Sequence, residues 1–124
     1  MIGYVTLGTN DLPRAAKFYD AIAAELGVGR FMEFENFIAW GGTEGAGIGL
    51  TKPFDGNAAS VGNGVMVALE AKDREQVQRL YEIALANGGS CEGEPGARGD
   101  NFYAGYFRDP DGNKLNAFLM TGPL

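Results

Sequence analysis

Tyr103-Ala104-Gly105-Tyr106-Phe107-Arg108-Asp109-Pro110-Asp111-Gly112-Asn113-Lys114-Leu115-Asn116-Ala117-Phe118 is the stretch from which the fold follows. Two runs rich in aromatic and apolar residues flank Asp-Pro-Asp-Gly-Asn, where proline presets the turn and glycine and asparagine tolerate positive φ. The pattern predicts a β-hairpin. With Asp109 to Asn113 as its loop, Tyr106 lies across from Asn116 and Ala104 from Phe118, and residues paired in this way share one face of a sheet.

Upstream, Gly3 to Gly8 alternates Val5 and Leu7 with Tyr4 and Thr6, the period of a strand with two differently used faces. Asn10 or Asp11 offers an N-cap with Pro13 in the first turn, and the helix runs to about Leu26 before Gly27. Ala15, Ala16, Tyr19, Ile22, Ala23 and Leu26 form its apolar stripe. Three short strands are predicted at about Arg30 to Phe34, Phe37 to Gly41 and Gly47 to Thr51. Lys52 to Asn63 reads as a connector. The pattern then recurs: a strand from Gly64 to Leu69, and a helix capped by Asp73 with Gln76 in the capping-box position. Val77, Leu80, Tyr81, Ala84 and Leu85 make its stripe before Gly88-Gly89. A short strand at Ser90 to Glu92 and a loop containing Pro95 lead into the hairpin.

Laying Asp11 on Asp73, an offset of 62, also puts Tyr19 on Tyr81, Gly27 on Gly89 and Tyr4 on Met66, and 62 is half of the 124 residues. The expectation is an α+β fold: one domain over 1–124, built from tandem βαβββ modules of about 1–55 and 62–124. Each module would bury its helix against its own sheet, with the two sheets meeting in a cupped surface.

Composition narrows the chemistry. Ten Lys and Arg against sixteen Asp and Glu leave a net charge of −6. With no basic run, nucleic acid and anionic membrane surfaces are excluded as partners, and a small molecule, especially a cationic one, is favoured. The N-terminus shows no signal-peptide pattern and no segment reaches transmembrane length, so a cytoplasmic location is expected. Cys91, the only cysteine, cannot form an internal disulfide and reads as an unreactive thiol. The chain has no histidine, which removes histidine-based nucleophilic catalysis and every histidine-ligated metal site.

Gly3-Tyr4-Val5-Thr6-Leu7, the helix start Asn10-Asp11-Leu12-Pro13-Arg14-Ala15 through Phe18-Tyr19, and above all Arg108-Asp109-Pro110-Asp111-Gly112-Asn113-Lys114-Leu115 carry a family resemblance. The chain resembles the vicinal oxygen chelate superfamily, which contains glyoxalase I, fosfomycin resistance proteins, extradiol dioxygenases and bleomycin resistance proteins. In metal-using members, the resemblance implies, a divalent ion sits in the cup on ligands from the first and last strands of each half. Carried over, those positions are Tyr4, Gly49, Met66 and Asn116. Tyrosine must lose a proton with a pKa of about 10 to ligate well, glycine has no side chain, methionine is soft, and asparagine gives one neutral oxygen. No metal and no cofactor are therefore expected. The resemblance further implies a homodimer, because half-sheets in this family commonly complete one another across subunits.

By strand parity Val5, Leu7, Val65 and Val67 pack beneath the helices, leaving Tyr4, Thr6, Met66, Tyr106, Asn116 and Phe118 in the cup, with Trp40 as a neighbour. Such an aromatic, weakly polar lining suits a small-molecule ligand. Glu33 and Glu35 could be paired acids or plain surface carboxylates, and Asp109 and Asp111 are expected to serve the turn. Gly45-Ala46-Gly47-Ile48-Gly49 is no dinucleotide loop, since no helix follows. The leading expectation is a metal-independent binding protein, with bleomycin resistance proteins as its functional model. Two alternatives stay open: a glyoxalase-type lyase or dioxygenase with an atypical site using Tyr4, Tyr106 and carboxylates, and a structural dimer whose cup its own side chains fill.

Overall fold

A computed structural model describes residues 1–123. The first half runs β1 (Tyr4–Gly8), α1 (Leu12–Glu25), β2 (Gly29–Phe34), β3 (Phe37–Gly41) and β4 (Gly47–Thr51). The second half runs β5 (Val67–Glu70), α2 (Arg74–Ala86), β6 (Ser90–Ala97), β7 (Phe102–Arg108) and β8 (Lys114–Met120). Each makes one four-stranded mixed sheet, in the orders β1-β4-β3-β2 and β5-β8-β7-β6, so the two topologies are identical. The α+β architecture expected from the sequence is the one found.

Local chemistry accounts for the helices. Asp11 caps α1 by accepting from the Arg14 N–H at 3.1 Å, and Asp73 caps α2 by accepting from the Gln76 N–H at 2.7 Å; losing either cap costs about 1 kcal/mol. Gln76 also accepts from the Lys72 N–H, and its amide donates to the Glu25 carbonyl and carboxylate, tying the start of α2 to the end of α1. Gly27 and Gly88, at φ +76° and +94°, reverse the chain after each helix. The second of these lies one position before the residue that the 62-residue offset selects. Leu85, assigned to the apolar stripe by spacing, is exposed, and Gln76 takes a buried place instead.

Two boundaries differ from expectation. The strand predicted from Gly64 begins at Val67, because a turn occupies Gly62–Val65, with Gly64 at φ +91°. Val65 consequently lies exposed and does not pack under a helix, whereas Leu7 does, with Val5 and Val67 half-buried. β6 extends past Glu92 through Pro95 to Ala97. Proline fits there because β6 is the edge of its sheet and its pairing with β7 slips on both sides of Gly93.

The core explains where the free faces are. Phe18, Tyr19 and Ile22 of α1 and Val77, Leu80 and Ala84 of α2 pack with Ile38, Trp40 and Leu50 of the first sheet and Leu69, Phe107 and Leu115 of the second. Among the regular elements of the described residues, the halves meet through α1, which packs on α2 and reaches Phe107 of β7 with Phe18, and no strand of one sheet pairs with a strand of the other. Each helix thus covers one face of its own sheet, and the second face of each sheet carries no helix. Within the chain the two sheets are not hydrogen-bonded to each other, and their β1 and β5 edges border one apolar groove. Each helix packs on its own sheet and on the other helix, and that helix pair joins the halves.

Candidate functional site

The outward face of the first sheet is built by glycine and aromatic rings. β4 reads Gly47-Ile48-Gly49-Leu50, with Leu50 in the core and both glycines outward. A Cβ on Gly49 would lie 2.6 Å from Phe37 Cζ, and one on Gly47 would lie 3.1 Å from Phe31 Cε1, so these rings lie flat across the missing side chains. A bulge between Arg30 and Met32 supplies Phe31 as an extra residue. Tyr4 meets Phe37 edge-on at 6.5 Å. Tyr4, Phe31 and Phe34 are 60%, 54% and 66% exposed, and Met32 and Thr6 are exposed beside them. That is a larger run of exposed aromatic surface than a soluble monomer ordinarily carries.

The outward face of the second sheet is polar at its centre. β7 and β8 pair Tyr106 with Asn116, Ala104 with Phe118 and Arg108 with Lys114, the register expected from a five-residue loop. β5 places Ala68 beside Asn116, as β1 places Thr6 beside Gly49, so Asn116 and Gly49 are equivalent positions of the duplicated unit. Asn116 is 1% exposed, and its Oδ1 has no hydrogen-bond partner. The other such atom among the described residues, Asp111 Oδ2, belongs to a carboxylate already bonded through Oδ1 to Asn10 and Arg14. Two cations approach the Tyr106 ring, the Arg98 guanidinium at 5.5 Å and the Lys114 ammonium at 5.7 Å. Phe118 stacks on Phe102 at 5.6 Å.

Of the expected cup residues, Tyr4 and Thr6 sit on one outward face, and Tyr106, Asn116 and Phe118 on the other. Met66 lies just ahead of β5, half-exposed. Trp40 belongs to neither. It is 4% exposed beneath α1, 5.7 Å from Tyr19, and its indole N–H donates to Asp20 at 2.8 Å. Parity explains this, because Ile38 and Trp40 alternate with Phe37 and Ala39 along β3. Arg30 completes that clamp by binding Asp20 through two nitrogens and Glu33 through a third, and it holds the Asp20 carboxyl below its usual range. Glu33 is thus an ion-pair partner, and no acid pair forms with Glu35 at the β2–β3 turn. Phe31, Phe37, Arg98 and Lys114 were missed. Parity on the hairpin could have added Lys114, and alternating glycines on β4 signal rings lying over them, but a bulge leaves no mark in the sequence.

The hairpin turn performs a different task. Asp109 accepts from the Asp111 and Asn113 N–H groups, from the Asn113 amide and, at 2.7 Å, from the Tyr19 hydroxyl of α1. The Asn113 amide also donates to the Gly8 carbonyl, and Asp111 accepts from Asn10 and Arg14. Burial first, then the Asp109 charge, pushes the Tyr19 hydroxyl well above its ordinary pKa. The two aspartates therefore fasten one half of the chain to the other.

The metal positions implied by the resemblance do not fit an ion. Phe37 fills the space at Gly49, Tyr4 and Asn116 lie on separate sheets, and the described residues contain no group of three His, Cys, Asp or Glu side chains able to hold one. No helix among them is long and apolar enough to cross a membrane.

Fold and site together define a tandem βαβββ protein with two unlike open sheet faces. Residues 1–117 match the model of the glyoxalase/bleomycin resistance protein/dioxygenase superfamily, and the chain belongs to that family. It is similar to the crystal structure of a glyoxalase/bleomycin resistance protein from Albidiferax ferrireducens, with 36% identity over 96% of this chain and 98% of that one and a TM-score of 0.89. A putative glyoxalase from Bacillus halodurans (20% identity, 96% and 95% coverage, TM-score 0.79) shares the fold. So does a lactoylglutathione lyase from Agrobacterium tumefaciens (19%, 96% and 92%, 0.70). A comparison with curated proteins returns no match.

Proposed function

We propose that this protein binds a small molecule without a metal, in a cup that two copies of the chain complete. The observation that carries this is the orphaned Asn116 oxygen. A buried carbonyl without a donor costs about 1–3 kcal/mol, and its place among Tyr106, Phe118 and Ala68 suits a ligand that donates an N–H or O–H. The opposite wall would be the aromatic face of the partner's first sheet.

β1 and β5 are each one of the two edge strands of their sheets. A two-fold axis that lays β1 of one copy beside β5 of the other joins the sheets and forms two identical cups. Between these edges runs an apolar groove of ≈ 390 Å³ lined by Ile2, Val5, Ile22, Leu26, Met66 and Val67, which gives the partner's strands a seat.

Light scattering should give twice the chain mass of 13.1 kDa. A thermal-shift screen of small aromatic compounds should find ligands that stabilise the wild type and not Asn116→Leu. A monomer at micromolar concentration, or one stoichiometric divalent ion lost on Asn116→Ala, would overturn the proposal. Turnover of a hemithioacetal in the presence of chelator would do so as well.

A further inference from the structure

Arg108 and Lys114 stand directly opposite each other on β7 and β8, on the face that holds Tyr106 and Asn116. Like charges in that register repel and destabilise a sheet, and local rules are broken most often where function requires it. Both side chains open onto a hollow of ≈ 400 Å³ whose other walls are the glycine-rich turn Val61–Val65 and Met66. No carboxylate lines it. Arg108 is held in place, its Nε paired with Glu92 at 2.6 Å and its Nη1 donating to the Gly112 carbonyl at 3.0 Å. Lys114 has no carboxylate partner among the described residues, and its ammonium rests over the Tyr106 ring. Arg98, whose guanidinium also lies over that ring, is bonded to backbone carbonyls alone.

In a chain of net charge −6, this face therefore gathers three cations, Arg98, Arg108 and Lys114, against one neighbouring carboxylate, Glu92, which is bonded to Arg108. Resting on the binding function proposed above, we infer that the ligand is an anion: an aromatic or apolar body carrying a carboxylate or phosphate that Lys114 and Arg108 receive. The cationic ligand suggested by net charge is displaced, because a ligand in the cup feels the nearest charges and more distant ones are screened beyond about 8–10 Å. Spacing refines the class. Lys114 and Asn116 are two residues apart on one strand, about 7 Å, so the ligand carries its oxyanion at one end and a hydrogen-bond donor for Asn116 at that distance.

Calorimetric titration with four para-substituted probes tests this: 4-hydroxybenzoate, 4-hydroxyphenylphosphonate, 4-hydroxybenzyl alcohol and 4-hydroxybenzylamine. The anions are expected to bind at least tenfold more tightly than the alcohol, and the amine more weakly than the alcohol. Lys114→Gln should erase the anion advantage over the alcohol, and Lys114→Arg should keep it. Unfolding temperatures of both variants establish that they are folded. Either anion showing the advantage supports the inference and tells carboxylate from phosphate. If alcohol and anions bind alike, or folded Lys114→Gln retains the advantage, the oxyanion site is refuted while small-molecule binding stands. If none of the four binds, the binding proposal fails and takes the inference with it.

Discussion

Replacing Tyr19 by phenylalanine deletes one hydroxyl and tests whether the hairpin turn fastens the two halves together. Of the donors that reach the Asp109 carboxylate, the Asp111 and Asn113 groups belong to the turn itself, and the Tyr19 hydroxyl, at 2.7 Å, comes from α1 in the other half. A hydrogen bond to a charged group contributes about 1.5–3 kcal/mol. At about 2.1 cal/mol/K of unfolding entropy per residue, 124 residues give roughly 0.26 kcal/mol/K, so the melting temperature should fall by roughly 6–12 °C. The pH dependence is the sharper test. Tyr19 has a folded-state pKa raised above its unfolded value, chiefly by burial. The stability this contributes is complete below about pH 10 and is lost above it, at about 1.4 kcal/mol per unit while the folded hydroxyl keeps its proton. The gap between wild type and Tyr19→Phe should therefore narrow by about that amount from pH 7 to pH 11. Urea denaturation followed by circular dichroism at the two pH values measures it. A melting temperature within 2 °C of wild type, or a gap that does not change with pH, would refute the clasp.

Asn116→Leu replaces an unsatisfied buried carbonyl with an apolar group, so the ligand-free protein should gain about 1–2 kcal/mol in denaturant titration while losing ligand-induced stabilisation. A Cβ on Gly89 would lie 2.5 Å from the Arg108 carbonyl oxygen and 2.7 Å from that of Ala84. Because backbone cannot step aside, Gly89→Ala should cost about 3 kcal/mol, against no measurable change for Gly3→Ala, where nothing lies within 4 Å. If the two copies fold as one unit, the melting temperature should rise with protein concentration over the micromolar range; calorimetry showing a constant value speaks against the shared cup.

The fold was legible because its signals are local. Asp11 and Asp73 as caps, glycines after each helix and the Asp109–Asn113 turn each act within a few residues, and the 62-residue recurrence multiplies them. The register of β7 on β8 followed from loop length alone. The site was legible only where parity could be carried along one strand, as from Tyr106 to Asn116 and Phe118. Trp40 was misplaced because its strand's parity was not followed through from Ile38, whose aliphatic side chain marks the core face. The way the two halves meet was out of reach. It depends on α1 packing against α2, and an apolar helix stripe does not say whether it meets its own sheet or a second helix as well.

The duplication itself argues for how the faces are used. Equal halves began with equal faces, yet at the equivalent positions Gly49 now lies under Phe37 while Asn116 keeps a polar side chain. One face has become a flat aromatic wall and the other a polar floor flanked by Arg98, Arg108 and Lys114. Joining like to like would bury rings against rings in one place and crowd cations against cations in another, with a cost that rises as water leaves. Joining unlike faces puts aromatic rings over cations and the Asn116 oxygen, and a single two-fold axis satisfies both pairs at once. Under the proposed two-fold assembly, divergence of the halves would let one chain build a two-walled site with its own copy.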